Sequence, residues 1–116
     1  IAYKGGFMRR NKLLAATLAV GFFCSFASAS VEDGQKLYLK ACKSCHGNGV
    51  KGAAMTTQAG WDKFFANNAA TLVEKHKNDA KAASFFNGPS FKGQMQDLHD
   101  FLKEYGSDSG NVPACG

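Results

Sequence analysis

The stretch Cys42-Lys43-Ser44-Cys45-His46 decides the fold of this chain. Its two thiols stand three positions apart, which is about one turn of an α-helix, and a histidine follows the second thiol directly. The chain of 116 residues has four cysteines, and no other two of them lie close together in the sequence. This spacing predicts that two sulfur atoms and one imidazole act on the same bound group.

Cys-x-x-Cys-His is the attachment signature of a c-type haem. The two thiols add across the two vinyl groups of one haem, and they must lie about one helical turn apart to reach both. The histidine ring then comes under the iron and supplies the proximal ligand. We therefore predict one haem c, bound covalently through Cys42 and Cys45, with His46 as an iron ligand.

The first 29 residues have the three parts of a secretory signal peptide. The cationic stretch Met8-Arg9-Arg10-Asn11-Lys12 precedes an apolar run at 13–26, and Ala27-Ser28-Ala29 is a small-residue cleavage site. The apolar run holds about 14 residues, whereas a transmembrane helix needs about 20. We predict cleavage after Ala29, with residues 1–7 upstream of the initiator methionine. The mature protein is then periplasmic, since haem c is attached outside the cytoplasm.

The basic charge of the chain belongs to this leader. The formal net charge is +5, of which residues 1–29 carry +4 and residues 30–116 carry +1. The two propionates of a haem would bring residues 30–116 to about −1. The charge therefore gives no support for binding to nucleic acid or to an anionic membrane.

Residues 30–106 form one domain whose apolar residues recur at helical spacing, and residues 107–116 form a polar tail. The domain lacks the alternating pattern of a β-strand, so we predict an all-α fold. A Gly-rich loop is expected at 47–54 and a break at Asn87-Gly88-Pro89. The predicted helices are Val31–Cys42, Thr57–Asn67, Ala69–Lys77, Phe91–Tyr105 and a further short one at Ala80–Phe86.

The domain resembles the class I cytochromes c. Within this family it is most similar to the small monohaem proteins of the bacterial periplasm. Gly34 stands eight residues before the first cysteine of the motif, and Tyr38 follows that glycine by four residues, as in the family. Leu98 and Phe101 match the leucine and the aromatic residue of the family's last helix. The resemblance covers nearly all of the domain. It implies about four short helices around one covalent haem, with the N- and C-terminal helices crossing at Gly34.

The resemblance also indicates where this chain departs from its family. It implies that Trp61 donates its indole N–H to a haem propionate, and the alternative is a core tryptophan whose nitrogen reaches the surface. The family takes its sixth iron ligand, a methionine, from the loop before the last helix. In this chain the corresponding residues 84–89 include no methionine.

Five answers remain for the sixth coordination position of the iron. His76 ranks first, because it stands where the family has an apolar residue facing the iron-bound methionine. Met95 ranks second, since its helical spacing to Leu98 also favours a core position. Met55 follows the motif closely, where the family's chain runs on the proximal side, and we expect solvent around His99. An empty position is the fifth answer.

We predict a monohaem shuttle that passes single electrons between respiratory redox partners. The alternative is a haem protein that binds or senses a gas or peroxide at an open or labile sixth position. A redox disulfide or a zinc site is a weaker interpretation, since the chain has neither a βαβ pattern nor two further zinc ligands close to the motif. No catalytic set of residues stands out, so we expect no enzyme activity.

The expected partners are an electron donor and an electron acceptor, both proteins, with transient contact to membrane complexes. Nucleic acid is not an expected partner. We expect the mature chain to be a monomer. Cys115 has no partner within it, and a dimer linked through Cys115 is the alternative.

Overall fold

The computed structural model describes residues 28–114, which contain six α-helices and no β-strand. The helices are α1 (Ala29–Ala41), α2 (Lys43–His46), α3 (Gly49–Ala53), α4 (Gln58–Lys75), α5 (Ala80–Phe86) and α6 (Pro89–Glu104). The prediction of an all-α fold is confirmed. Within these residues no helix has the length and apolar character to cross a bilayer. The predicted signal peptide, apart from its last two residues, and Cys115 lie outside the described residues.

Helix α1 begins at a serine cap and leads directly into the Cys-x-x-Cys-His motif. The side chain of Ser28 accepts a hydrogen bond from the backbone N–H of Val31 at 3.4 Å. Glu32 in the first turn suits the positive end of the helix dipole. The buried residues of α1 recur at the predicted helical spacing and are Val31, Gly34, Leu37 and Tyr38.

The motif itself forms helix α2, and a second short helix follows it. Gly47 ends α2 with a φ of 85°, a left-handed conformation that glycine adopts without strain. Asn48 then caps α3, where its side-chain oxygen accepts a hydrogen bond from the N–H of Lys51 at 3.0 Å. The prediction of a loop at 47–54 is therefore wrong for residues 49–53, which form α3. The Asn48 cap offsets the poor helix propensity of the two glycines in this helix.

Helix α4 is broken where two asparagines follow each other. The φ angles of Asn67, Asn68 and Ala69 are 55°, 57° and 60°, and the preceding Ala66 is extended. Asparagine enters the left-handed region more readily than most residues. The break predicted at this point is confirmed, and residues 70–75 run as a separate helical segment.

Helices α5 and α6 are separated by the predicted break. Asp79 caps α5 by accepting a hydrogen bond from the N–H of Ala82 at 3.0 Å. Asn87 follows the end of α5, and Gly88 precedes α6, which begins with Pro89. Proline at the first position of a helix loses no hydrogen bond, so the three breaker residues end one helix and start the next.

The first and last long helices cross at Gly34. A Cβ atom on this residue would lie 1.9 Å from the carbonyl oxygen of Asp97 and 2.8 Å from the Cβ of Phe101. The ring of Tyr38 packs on Phe101 with 5.7 Å between centroids. Leu98 and Phe101 are 1% and 0% exposed. The predicted contact of α1 with α6 is confirmed, and it depends on a residue without a side chain.

The polar tail packs against the start of α4. The backbone N–H of Ser107 donates to the carbonyl of Thr56 at 2.9 Å, and the Asp108 carboxylate accepts from the N–H of Gln58 at 2.8 Å. Gly106 is buried beside Thr57 and Gln58, where a Cβ would come within 2.9 Å of the Gln58 nitrogen. This part of the tail thus holds the N-terminal end of α4 beside the end of α6.

Candidate haem-binding site

A cavity of about 330 Å³ opens beside the motif. Its walls come from α1, α2, α4, α5 and α6 together with the segment between α3 and α4. Most of the side chains facing it are apolar, and the main ones are Trp61, Phe64, Leu72, Phe86, Leu98 and Leu102. Apolar walls with a few polar groups are typical of a cofactor site.

Two of the three predicted attachment residues line this cavity. Cys42 is half-buried and His46 is exposed, and both contribute to its wall. Cys45 is an exposed free thiol, and it is not among the residues that line the cavity. Cys42, which caps α2, therefore places one sulfur on the cavity wall, and Cys45 within α2 places the other at the surface next to His46 in the sequence.

The thiol of Cys42 is not a reactive thiolate in this structure. Burial, and secondarily the neighbouring Cys45, raises the pKa of Cys42 to about 11. A redox disulfide or a zinc centre requires a thiolate, which is favoured by a lowered pKa. The described residues also contain no group of three or more histidine, cysteine or acidic side chains that could hold a metal ion. The raised pKa of Cys42 does not match the lowered pKa that is typical of a redox-active cysteine.

Tyr38 secures the chain just after the motif. Its hydroxyl donates to the carbonyl of Gly47 at 2.7 Å and lies 3.2 Å from the carbonyl of Asn48. Gly52 makes room for this hydroxyl, since a Cβ there would lie 1.9 Å from the Tyr38 oxygen. Burial raises the pKa of Tyr38 to about 12, with a smaller contribution from Cys42. The hydroxyl thus stays protonated as a donor and fixes the backbone that follows His46.

His76 lines the same cavity as His46 of the motif. The centroids of the His46 and His76 rings are 6.0 Å apart, and their planes are inclined at 80°. Nδ1 of His76 lies 2.7 Å from the carbonyl oxygen of Leu72. A carbonyl can only accept a hydrogen bond, so Nδ1 carries the proton and Nε2 keeps its lone pair. The structure therefore brings together two imidazoles from distant parts of the chain, one of them in a fixed tautomer.

The other candidates for the sixth position are arranged differently. Met55 lines the cavity but is 52% exposed. Met95 packs against the hydrophobic core and is not among the lining residues. His99 is not simply solvated, as the sequence analysis expected, because its Nε2 lies 2.8 Å from Asp62 and its ring stacks on Phe65 at 4.7 Å. Their roles as ligands stay predictions, and only His76 faces His46.

Trp61 is buried, and its nitrogen is engaged within the protein. The indole N–H donates to the carbonyl of Ala53 at 2.8 Å, and the side chain is 3% exposed. The hydrogen bond ties α4 to the end of α3 beside the cavity. The indole N–H therefore has a partner within the protein, and its predicted hydrogen bond to a propionate stays a prediction.

Sequence reasoning missed two residues that define the distal wall. Phe86 lines the cavity and packs on His76 with 4.8 Å between ring centroids. Lys75 also lines the cavity and places a cationic side chain at its edge. Phe86 lies in the segment where a class I cytochrome would carry its methionine, so its position was the available signal. No pattern in the sequence singled out Lys75.

The residues present fit a covalently held haem. A pair of thiols, a histidine beside them and an apolar cavity next to both are the donor set and the environment that this group needs. The fold and the site thus define a small c-type cytochrome.

Comparison with known proteins agrees with this class. A family model described as cytochrome c oxidase, cbb3-type, subunit III matches residues 29–103. The match covers well over half of the chain, and the chain belongs to this family of c-type cytochromes, which carry haem c and transfer electrons. Searches of curated proteins and of solved structures found no match.

Proposed function

We propose that this protein is a monohaem c-type cytochrome that carries single electrons between redox proteins outside the cytoplasm. The observation that carries the proposal is the position of the motif at an apolar cavity, with Cys42 and His46 in its wall. Family membership supports electron transfer in general. The single haem and the site of attachment follow from the one Cys-x-x-Cys-His motif in the chain.

The two cysteines and the histidine of the motif have separate roles in this proposal. Cys42 and Cys45 would hold the haem through thioether bonds, and His46 would ligate the iron. Bound haem supplies an iron centre that gains and loses one electron. The chain's own contribution is a wall of aromatic and aliphatic side chains that excludes water from one face of the site. Tyr38 keeps the backbone after His46 in place through its bond to Gly47.

Charge at the cavity edge supports the same use of the site. Lys75 lines the cavity, and an ammonium group there would favour the negative charge of a propionate. The Cys45 side of the motif is exposed, so one edge of the bound group would face solvent and redox partners. Electron transfer between proteins requires such an accessible edge, with the rest of the group enclosed.

The sequence supports export and a respiratory partner. The leader at 1–29 has the composition of a secretory signal peptide, so we propose a periplasmic protein that begins at Ser30 after processing and has lost the Ser28 cap of α1. The family's description names a subunit of a cytochrome c oxidase. We therefore propose respiratory proteins as donor and acceptor, bound transiently and at the exposed edge.

Haem staining of a denaturing gel tests the attachment. The protein is expressed with its leader in a bacterium that has c-type maturation machinery, and the periplasmic fraction is analysed beside two variants, Cys42→Ala and Cys45→Ala. We expect one stained band in the wild type, with the mass of a chain beginning at Ser30 plus one haem. Each variant can form only one of the two thioether bonds, so we expect less attached haem and a weaker stain than in the wild type. Cys115→Ala is the matched control and should keep full stain. A colourless wild-type band would refute the proposal.

A further inference from the structure

We propose that His76 is the second axial ligand of the iron, so that two imidazoles hold it from opposite sides. This inference rests on the proposed function, because it presupposes a haem attached at the motif. It goes further by assigning the sixth coordination position, and with it the iron's reduction potential and its closure to external ligands.

The distance between the two rings fits an iron atom between them. The centroids of His46 and His76 are 6.0 Å apart. First-row metals bind imidazole nitrogen at about 2 Å, so two rings that share one metal have centroids about 6 Å apart. Rings in direct van der Waals contact can also reach this separation, and the remaining observations favour ligation.

The tautomer of His76 is the one that a ligand needs. Nδ1 donates its proton to the carbonyl of Leu72 at 2.7 Å, which leaves Nε2 as the nitrogen with a free lone pair. Histidines that ligate metals nearly always donate their other ring N–H to a carbonyl or carboxylate, which fixes the ring and raises its basicity. Leu72 lies in the last turn of α4, where backbone carbonyls have no partner within the helix.

The ring of His76 is also held by packing. His76 follows the last residue of α4, and its backbone N–H bonds to the carbonyl of Val73 at 3.1 Å. Phe86 from α5 packs on the ring at 4.8 Å, and Phe91 supports Phe86 with an edge-on contact at 4.8 Å. A side chain fixed by backbone, hydrogen bond and neighbouring ring loses little freedom when it binds a metal.

The two methionines and the third histidine have weaker positions. Met55 reaches the cavity but is half-exposed and lies in a turn. Met95 packs in the core outside the cavity lining, and His99 is engaged with Asp62 and Phe65. His76 alone combines a place in the cavity wall, a short distance to His46 and a free Nε2.

Ligation by His76 has two measurable consequences. A second imidazole gives a lower reduction potential than a thioether does, because methionine favours ferrous iron. With both axial positions filled by the protein, the reduced iron has no free position for carbon monoxide. The protein would then be an electron carrier of low potential, and the small-ligand sensor would be excluded.

Spectroscopy of the purified holoprotein and three variants tests this assignment. Absorption and electron paramagnetic resonance spectra are recorded for the oxidised form, and carbon monoxide is added to the reduced form. We expect the wild type to be low-spin, to lack the weak far-red band of methionine ligation, and to leave carbon monoxide unbound. His76→Ala should bind one equivalent of carbon monoxide per haem, and His76→Met should raise the reduction potential. His99→Ala is the matched control and should keep the wild-type spectra.

The outcomes separate this inference from the proposed function. A haem-stained band together with a far-red band that disappears in Met55→Ala or Met95→Ala would overturn His76 as the ligand and leave the cytochrome intact. Carbon monoxide binding by the wild type as fast and as complete as by His76→Ala would also overturn it and would favour the small-ligand protein. A chain without covalent haem would remove both proposals. If His76→Ala fails to fold, His76→Met and the wild-type spectra still decide between the ligands.

Discussion

The single residue Tyr38 contributes to the stability of the site, because its hydroxyl holds the backbone that follows the motif. The side chain is 1% exposed, and its hydroxyl donates to the Gly47 carbonyl. We expect Tyr38→Phe to lower the free energy of unfolding by about 1–3 kcal/mol, since a carbonyl then lacks its partner. Chemical denaturation of the holoprotein measures this. Tyr105→Phe serves as the control, because the structure gives its hydroxyl no hydrogen bond to a described residue, and it should change little.

The difference in stability between the wild type and Tyr38→Phe should depend on pH, and the pKa of Tyr38 fixes its direction. Burial raises the pKa of Tyr38 from 10.0 to about 12, so the folded protein holds this proton more tightly than the unfolded chain does. The contribution of the Tyr38 hydroxyl to the free energy of unfolding is therefore complete below pH 10 and is lost as pH rises from 10 toward 12. The stability advantage of wild type over Tyr38→Phe should shrink across this range. An advantage that stayed constant would contradict the role of burial.

Single residues were predicted from the sequence with uneven success. The contact of Gly34 with the helix that carries Leu98 and Phe101, which the resemblance to class I cytochromes c implied, is confirmed. The sequence also ranked His76 first among the distal candidates. It could not supply the carbonyl of Leu72 or the ring of Phe86, since both contacts depend on how α4 ends and how α5 packs against it.

At the scale of elements, the crossing of α1 and α6 depends on a missing side chain. In Gly34→Ala the new Cβ would lie 1.9 Å from the backbone oxygen of Asp97, so the two helices must separate. We expect a loss of about 3 kcal/mol in the free energy of unfolding, or failure to fold. Thermal and chemical denaturation measure the change.

Gly93→Ala is the matched control for this substitution. Gly93 lies inside α6, and a Cβ there would have nothing within 4 Å. The neighbouring Gln94 has non-helical φ and ψ angles of −123° and 19°, so we expect the better helix propensity of alanine to change the free energy of unfolding only slightly. Equal effects of the two substitutions would mean that the close approach of α1 and α6 contributes nothing.

Helix breaks with strong local signals were predicted well, and the short glycine-rich helix α3 was not. The breaks at Asn67-Asn68 and at Asn87-Gly88-Pro89 are confirmed, because the backbone preferences of these residues are local. Helix α3 was missed, since its Gly-Val-Lys-Gly-Ala sequence has low intrinsic helix propensity. Its stability comes from the Asn48 cap and from packing beside Tyr38, which a local pattern does not report.

At the scale of the whole molecule, the cavity indicates that the bound group is part of the core. A domain of this size has little apolar surface to bury, and an open cavity of about 330 Å³ lies within it. We expect the variant Cys42→Ala/Cys45→Ala, freed of unattached haem, to melt at a lower temperature and over a broader range than the holoprotein. Circular dichroism and calorimetry measure both quantities. Identical melting of the two proteins would contradict a structural role for the group.

The left-handed turn at residues 67–69 leaves His76 at the end of a helical segment that spans only residues 70–75. Such a short segment is marginal by itself and opens at a lower free energy than α1 or α6. Because the Leu72 carbonyl anchors His76, a local opening of this segment would release the proposed iron ligand while the helix crossing stays intact. The absorption spectrum of the haem would then report the local opening of residues 70–75, a motion that amide hydrogen exchange also detects.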